Sequence, residues 1–404
     1  MTYNPACDRG GVDIALAQPI ATGSLMNESE AQGSDSTPKT AARGRDPLVW
    51  VISGYRAGEQ TQMTALAEAL GWPFRVKVLK HRPWDFAPGL LRLSSLAGID
   101  RRTSDALQPP WPDLVITAGM RNEPIARWVR ERAGPGCMLV NVGRPWAGFD
   151  CFDLIVTTPQ YRLPDRPNIL QNAGTMHLVN ESTLSAARDR WKPRFEDLPS
   201  PRIGVLVGGN SGPYTFGPRA AGRLAAQASR MAMDTGGSLL VTTSARTATS
   251  ATDVLASGLD CPHYLYRWNP DPALNPYLGI LAVAEAFIVT ADTVSMLSEA
   301  VGTGKPVHIF GLEGDGSGDF RPSAVLYRML MEYGHPRLTR DLALFHRRLT
   351  ESGRAVWLGH DSWSSRSNPR PLDDLHRAAQ RVRQLVASST HRPGTPETSP
   401  AHEA

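Results

Sequence analysis

The sequence predicts an α/β protein with two Rossmann-like, doubly wound parallel-sheet domains. Short apolar runs of strand length alternate along the chain with longer segments of helical periodicity. Most of these runs end in a glycine-rich or polar turn, as buried parallel strands do. The 404 residues, of which 41% are hydrophobic, are enough for two cores. Since the loops after parallel strands gather at one edge of a sheet, we expect the two domains to face a common cleft.

The sequence at both ends of the chain predicts disorder. Residues 1–46 are rich in Ser, Thr, Gly, Asp and Glu and lack apolar periodicity, which indicates a disordered leader. Their one apolar patch, residues 14–17, is short, and nearby acidic residues argue against a signal peptide or a mitochondrial transit peptide. Residues 389–404 are expected to form a disordered tail. The most apolar stretch, residues 279–289, is too short to span a membrane, so we expect a cytoplasmic protein without a transmembrane segment.

Composition excludes several classes of site. The four cysteines are far apart in sequence, form no CxxC pair and match no zinc-ligand spacing, so neither a disulfide framework nor a metal site is expected. The formal net charge of +4 is modest for this length. It suits an acidic small-molecule substrate and does not indicate nucleic-acid binding.

The first domain is predicted to span residues 47–195. Its first strand, residues 48–52, leads through a turn containing Gly54 and Gly58 into a helix that ends near residue 70. Two glycines at a strand-to-helix turn let the backbone approach a ligand closely, so both are candidate substrate-binding residues. Their spacing is not GxGxxG, and no acidic residue follows a second strand in the dinucleotide pattern, which argues against an NAD site.

Two more strands of the first domain are followed by loops that carry charge. The strand at residues 113–117 leads to Arg121 and Glu123, and the strand at residues 138–142 leads to Arg144. We expect these three side chains at the same sheet edge as Gly58.

The second domain is predicted to span residues 196–370, after a proline-punctuated linker at residues 191–201. Its first strand, residues 202–207, leads into a glycine-rich loop that begins at Gly208. The next strand, residues 238–243, ends in a polar loop that contains Arg246. Both loops should lie at the carboxyl edge of the second sheet.

The stretch from Tyr277 to Phe310 is the one around which we expect the chain to be organised, as a strand, a tight turn, a helix and a second strand. An apolar strand at residues 286–289 is followed by a polar turn, a helix that ends near Gly302, and a second strand at residues 307–310. We expect Asp292 to cap the helix. The N-terminus of such a helix carries free N–H groups and the positive end of the helix dipole, which together favour an anion such as phosphate.

Several of these segments are recognisable. The stretch from Asn275 to Pro306, NPYLGILAVAEAFIVTADTVSMLSEAVGTGKP, resembles the hallmark of the plant elongated-mitochondria fission-factor family, which has many uncharacterised bacterial members. The first-domain loops share this resemblance through Gly-x-x-x-Gly-Glu, Ala-Gly-x-Arg and Gly-Arg-Pro. More distantly, the helix from Thr293 to Glu299 is similar to the nucleotide-binding helix of GT-B glycosyltransferases. The resemblance implies a GT-B-like fold, with a helix at residues 371–388 that crosses back to the first domain.

The same resemblance implies a site for a nucleoside diphosphate sugar, with UDP or another nucleotide as the carrier. In GT-B enzymes a Glu on this helix holds the ribose hydroxyls, a role that falls here to Glu299. The diphosphate would lie against the helix tip and the two polar loops. The implied donor-site residues are Gly208, Gly209, Asn210, Ser211, Arg246, Asp292, Thr293, Val294, Ser295 and Glu299. Neither a separate cofactor nor a metal is implied.

Sugar transfer with inversion also needs a base that removes the proton of the acceptor. Glu59, at the mouth of the first glycine turn, is the first candidate and Glu123 is the second. Arg121, Arg144 and Arg246 are candidates for neutralising the leaving group. The first domain would hold the acceptor, a glycan or a lipid-linked molecule.

A non-catalytic scaffold and a nucleotide-sugar epimerase are the two alternatives to sugar transfer. The plant relatives recruit a dynamin-type GTPase to mitochondria, so the chain could instead be a non-catalytic scaffold, although it carries no visible mitochondrial address. A nucleotide-sugar epimerase with bound NAD would need a Tyr-x-x-x-Lys pair, and no tyrosine has a lysine four residues later. The arginines between residues 321 and 348 could dock an acidic partner or contact a membrane peripherally.

Overall fold

The computed structural model describes residues 45–53, 57–85, 93–312, 319–335, 337–359 and 372–390. The folded unit begins at Asp46. Most of the predicted leader and tail, as well as the predicted substrate-binding residue Gly54, lie outside the described residues.

The first sheet has six parallel strands in the order β2-β1-β3-β4-β5-β6. Its strands are β1 (Val49–Ile52), β2 (Phe74–Lys77), β3 (Leu114–Ala118), β4 (Met138–Val142), β5 (Leu154–Thr157) and β6 (Ile169–Gln171). Helices α1 (Ala57–Leu70) and α2 (Glu123–Ala133) cover opposite faces. Val49 and Val51 pack on one side of β1 and Trp50 and Ile52 on the other, because side chains alternate along a strand.

The second sheet also has six parallel strands, in the order β12-β11-β10-β7-β8-β9. Its strands are β7 (Arg202–Leu206), β8 (Ser238–Thr242), β9 (His263–Tyr266), β10 (Ala286–Thr290), β11 (Val307–Phe310) and β12 (Val356–Trp357). The described helices of this domain are α3 (Glu181–Phe195), α4 (Pro218–Thr235), α5 (Thr249–Ser257), α6 (Tyr277–Val283), α7 (Val294–Gly302), α8 (Pro322–Tyr333) and α9 (Leu342–Glu351).

Helix α3 (Glu181–Phe195) places the crossing between the domains earlier than the sequence predicts. Its buried side chains Leu184, Ala187 and Phe195 belong to the core of the second sheet. The predicted division between residues 195 and 196 therefore differs from the packing, since the chain leaves the first sheet after β6 and before α3. Proline and polar residues suggested a linker there, but Pro193 lies inside the helix.

Helix α10 (Asp374–Thr390) returns the chain to the first domain. Its buried residues Ala378, Ala379, Val382 and Val386 complete the core that lies under α1. The described chain thus has the GT-B-like arrangement expected from the sequence, with two Rossmann-like sheets and a returning C-terminal helix.

In each sheet the strand order reverses direction at one point, between β1 and β3 in the first and between β7 and β10 in the second. Ligands of such sheets bind at this switch point, beyond the carboxyl ends of the strands. Loops of both sheets line a common cleft with a volume of about 690 Å³. In the described ranges, no helix combines the length and the apolar character that crossing a membrane requires.

Candidate functional site

The N-terminus of α7 opens onto the cleft. Strand β10 ends at Thr290, and the helix begins at Val294 with Thr293 as its N-cap. The Thr293 hydroxyl accepts a hydrogen bond from the Met296 N–H at 3.4 Å. The prediction that Asp292 caps the helix is therefore wrong, since that residue lies one position too early. The N–H groups of Val294 and Ser295 have no acceptor within the described part of the chain, and both residues line the cleft.

Asp292 joins two loops beneath the helix tip. Its buried carboxylate accepts from the Thr290 hydroxyl at 2.7 Å, and Arg246 Nη1 lies 3.0 Å from its Oδ2 atom. Burial raises the pKa of Asp292, and the Arg246 charge acts against that rise. Asp292 therefore fixes Arg246, whose side chain is 43% exposed and lines the cleft.

The glycine-rich loop after β7 packs directly against this pair. A β-carbon at Gly208 would lie 2.2 Å from Asp292 Oδ2, and one at Gly209 would lie 2.2 Å from the Arg246 carbonyl oxygen. Gly209 also has a φ of +140°. Both glycines are therefore needed for the close approach of the two loops. Within this loop Asn210 accepts from the Phe216 N–H at 2.9 Å, while Ser211 lines the cleft.

Glu299 lies deeper in the cleft, on the same helix. The Tyr277 hydroxyl donates a hydrogen bond to its carboxylate. Burial raises the pKa of Glu299 to about 7, although the hydrogen bond from Tyr277 acts in the opposite direction. Trp268 and Asn275 line the cleft together with these two residues. An aromatic and polar pocket therefore surrounds the predicted ribose-binding carboxylate.

The first turn of α1 forms the opposite wall. Gly58, Glu59 and Gln62 line the cleft from this helix. A β-carbon at Gly58 would lie 3.4 Å from the Ser295 hydroxyl oxygen, so the N-termini of α1 and α7 face each other at close range. The structure thus brings Gly58 and Glu59 to the predicted donor-site helix.

Glu123 lies away from the cleft lining, at the start of α2. Its buried carboxylate accepts from the N–H groups of Trp146 and Ala147 at 2.6 and 2.8 Å. Burial raises its pKa to about 7, and these two hydrogen bonds act against the rise. Both carboxylate oxygens are thus occupied in holding the loop after β4.

The arginines predicted in the first domain are also engaged outside the cleft lining. Arg121 Nε lies 3.3 Å from Asp85 Oδ1, and His81 Nδ1 lies 3.1 Å from the other oxygen of that buried carboxylate. Arg144 donates to the backbone carbonyls of Tyr161 and Arg162, the second at 3.3 Å. Of the three arginines predicted to meet the leaving group, the structure places Arg246 in the cleft.

Several cleft residues were missed by sequence reasoning. Most are polar residues at or just beyond the ends of β5 and β6, where the paired threonines at the end of β5 were an available signal. They are Thr157, Thr158, Gln160, Tyr161, Asn172 and Thr175. Thr242, Thr243 and Ser244 also line the cleft, at the end of β8 where a polar loop was predicted. Arg340 also lines the cleft, from a segment between α8 and α9 that carried no motif. In the part of the chain that the structure describes, no cluster of three or more His, Cys, Asp or Glu side chains could hold a metal ion.

Comparison with known proteins identifies relatives over most of the chain. A model of the family described as Mitochondrial fission ELM1 matches residues 57–386. The mitochondrial fission protein ELM1 of Arabidopsis thaliana is 26% identical over 318 residues, which cover 73% of this chain and 69% of the relative. An uncharacterised protein of Rickettsia prowazekii (strain Madrid E) is 23% identical over 297 residues, which cover 65% of this chain and 82% of the relative.

Among solved structures, similarity is low in sequence and partial in shape. A UDP-GlcNAc 2-epimerase from Neisseria meningitidis bound to UDP-GlcNAc is 12% identical, covers 84% of this chain and 100% of its own, and has a TM-score of 0.41. The ADP-heptose lps heptosyltransferase II of E. coli is 14% identical, covers 75% and 99%, and has a TM-score of 0.39. We draw no function from these two structures.

Proposed function

The chain belongs to the Mitochondrial fission ELM1 family, and from that premise and the cleft geometry we propose that it is a glycosyltransferase using a nucleoside diphosphate sugar. The second domain would hold the donor and the first domain the acceptor, a glycan or a lipid-linked molecule. The observation that carries this proposal is a helix tip that opens onto a cleft between two sheets, where the N–H groups of Val294 and Ser295 have no acceptor among the described residues.

The helix tip suits a diphosphate for a physical reason. Two N–H donors and the positive end of the α7 dipole act on the same point, and such a combination stabilises a phosphate group. Arg246 lies on the neighbouring loop and adds a positive charge held in place by Asp292. The tip belongs to the loop after β10, at the switch point of the second sheet, where ligands of such folds bind.

The nucleoside would extend from the diphosphate toward Glu299. A carboxylate accepts hydrogen bonds from both hydroxyls of a ribose, and Glu299 lines the cleft with its Oε2 atom already bonded to Tyr277. The remaining lone pairs of the carboxylate are available to a ligand. Trp268, which is 39% exposed, also lines the cleft, and an aromatic ring there can pack against a nucleobase.

The residue that would act as the base in sugar transfer faces the donor site from the first domain. Glu59, on the opposite wall, would remove the proton from an acceptor hydroxyl while the new bond forms between its oxygen and the anomeric carbon. The bond from that carbon to the nucleoside diphosphate breaks, and the leaving diphosphate takes the electron pair. The amides of α7 and the Arg246 guanidinium would stabilise the negative charge that develops there.

A second candidate function is a non-catalytic scaffold that recruits a protein partner such as a dynamin-type GTPase. The observation in its favour is an exposed apolar face on α8, where Val325, Leu326, Met329 and Tyr333 are each more than two-fifths exposed. These residues lie along one side of the helix, while Ala324 is buried on the other. An apolar face of this kind is typical of a protein contact surface.

Nucleotide binding distinguishes the two candidates. We expect one of UDP, ADP or GDP, or a sugar derivative of it, to raise the melting temperature of the chain. A ligand at 100 times its dissociation constant stabilises the folded state by about 2.7 kcal/mol. Substitution Glu299→Ala should abolish the rise. The scaffold function would instead be supported by two results together. No nucleotide would change the melting temperature, and the double variant Leu326→Asp/Met329→Asp would no longer capture a purified dynamin-type GTPase.

A further inference from the structure

Among the described residues, the two arginines that line the cleft, Arg246 and Arg340, differ in the groups that they contact. Arg246 lies 3.0 Å from the carboxylate of Asp292, so its charge is compensated. Arg340 has no carboxylate partner in the described part of the chain. The partners of its guanidinium are the hydroxyls of Tyr161 and Tyr327.

The two tyrosines hold Arg340 between the domains. Tyr161 follows β5 of the first domain, and Tyr327 lies on α8 of the second. The Tyr327 hydroxyl also accepts from the Arg340 N–H at 2.6 Å. Burial lowers the pKa of Arg340, but the interactions with Tyr161 and Tyr327 more than offset this, and the net pKa is raised. The side chain is thus a fixed, fully charged group at the wall of the cleft.

Other arginines lie near Tyr161, whose backbone carbonyl accepts a hydrogen bond from Arg144. Burial lowers the pKa of Arg144, and the neighbouring charges of Arg337 and Arg162 lower it further. Within the described residues, Asp341 Oδ2 lies 3.8 Å from Arg162 Nη1, and the charge of Arg337 acts on Glu123, whose pKa burial raises to about 7. Arg340 is therefore a charged group in the cleft wall that no described carboxylate neutralises, and a guanidinium of this kind favours an anion.

We propose that Arg340 is the centre of a second anion site in the cleft, which binds a phosphate group carried by the acceptor. This deepens the function proposed above, and only the assignment to the acceptor rests on it. The site is made by both domains, since Tyr161 comes from the first and Arg340 from the second. The planar guanidinium presents paired N–H donors that match the oxygens of a phosphate group.

Isothermal titration with inorganic phosphate tests the site directly. We expect the wild-type chain to bind two phosphates, one at the tip of α7 and one at Arg340. Arg340→Gln should reduce the number to one, or weaken the second phosphate at least tenfold. The matched control is Arg347→Gln, an exposed arginine on α9, which should bind phosphate as the wild type does. Equal binding by the wild type and Arg340→Gln would overturn the proposal.

A second variant covers the case in which Arg340→Gln does not fold. Tyr161→Phe removes one hydroxyl that orients the guanidinium and keeps the ring, so it should weaken the second phosphate severalfold without lowering the melting temperature. Unchanged phosphate binding in a folded Tyr161→Phe variant, together with an unfolded Arg340→Gln variant, would count against the site.

The phosphate could be borne by a lipid or by a soluble molecule, and vesicles separate the two. Sedimentation with phosphatidic acid in phosphatidylcholine vesicles, lost in Arg340→Gln and absent with phosphatidylcholine alone, supports the site with a lipid as the carrier. Phosphate binding that depends on Arg340, without sedimentation, supports it with a soluble carrier. If neither measurement depends on Arg340, the proposal fails. Failure of all nucleotides to bind would remove the donor site and leave this result intact.

Discussion

Gly58 and Ser295 face each other across the cleft: a β-carbon at Gly58 would lie 3.4 Å from the Ser295 hydroxyl oxygen. One residue belongs to the first turn of α1 and the other to the first turn of α7. The positive ends of two helix dipoles therefore point toward the same space. An anion between them would be stabilised from both domains at once.

A large side chain at Gly58 should close this space. Gly58→Leu is expected to abolish nucleotide-dependent stabilisation, because the side chain would occupy the position in front of the α7 amides. Gly58→Ala, whose added carbon makes an ordinary contact at 3.4 Å, should bind nearly normally. Calorimetric titration with the nucleotide found in the screen measures both. The control is Gly136→Leu, at an exposed glycine with open space around it. Normal binding by Gly58→Leu would show that the ligand does not pass between the two helix tips.

Glu59→Gln should separate binding from chemistry. The amide keeps the size of the side chain but accepts no proton at neutral pH, so turnover should fall by about 100- to 10,000-fold while nucleotide affinity stays unchanged. Release of nucleoside diphosphate from the sugar donor reports turnover. Glu68→Gln, at an exposed position on the same helix, is the matched control and should retain full activity. Retained turnover in Glu59→Gln would assign the proton transfer to another group.

Glu299 should make nucleotide affinity depend on pH. Its pKa is about 7 in the folded chain, because burial disfavours the charged form. The carboxylate accepts ribose hydroxyls better than the neutral acid does, so affinity should fall as the pH is lowered through 7. Glu299→Gln should bind at least about tenfold more weakly, as expected for the loss of a charged hydrogen bond, and show no such pH dependence. An identical pH profile in wild type and variant would exclude Glu299 from the ribose site.

Glu123→Ala should lower the free energy of unfolding, because Glu123 holds the loop after β4 and does not line the cleft. Removal of the carboxylate leaves the N–H groups of Trp146 and Ala147 without an acceptor, at a cost of about 1–3 kcal/mol each. Urea denaturation at pH 7 measures the loss. The exposed residue Glu351, changed to Ala, serves as control and should stay within about 0.5 kcal/mol of the wild type. A stability equal to that of the control would mean that the loop after β4 does not depend on Glu123.

Protonation of His346 should lower the free energy of unfolding at acidic pH. Burial lowers its pKa to about 4, so the folded chain keeps the ring neutral where the unfolded chain, with a pKa near 6.5, protonates it. Its contribution is therefore present above pH 6.5 and is lost as the pH falls toward 4, by roughly 3 kcal/mol at most. Relative to His346→Phe, which suits the surrounding Tyr214 and Trp357 rings, the wild type should lose stability over this range. A constant difference between the two from pH 7 to pH 4 would contradict this.

The central strands and the helix tip could be predicted because their signals are local. Buried parallel strands such as β7 and β10 are continuous apolar runs bounded by glycine or polar turns, and the polar turn before α7 fixes where the helix starts to within two residues. The edge strands β6 and β12, with three and two residues, gave no such run. Helix α6 was missed because six of its seven residues are apolar, so that its sequence shows no polar face and no helical periodicity.

The rest of the site depends on contacts that no local pattern reveals. Glu123 and Arg144 follow strands as predicted, yet tertiary packing gives each of them backbone partners outside the cleft. Arg340 reaches the cleft only because α8 and the turn that contains Tyr161 bring it there. A charge beside a strand end is visible in the sequence, but the direction of its side chain is set by residues far away along the chain.

The return of α10 to the first domain has a consequence for biosynthesis. Ala378, Ala379, Val382 and Val386 fill a core whose other members, such as Val49 and Val51, are made more than 300 residues earlier. The first sheet therefore emerges from the ribosome with one hydrophobic face covered only in part, by α1, and the rest of that face stays uncovered until almost the entire chain has been translated. During synthesis the second sheet can complete its own core sooner than the first.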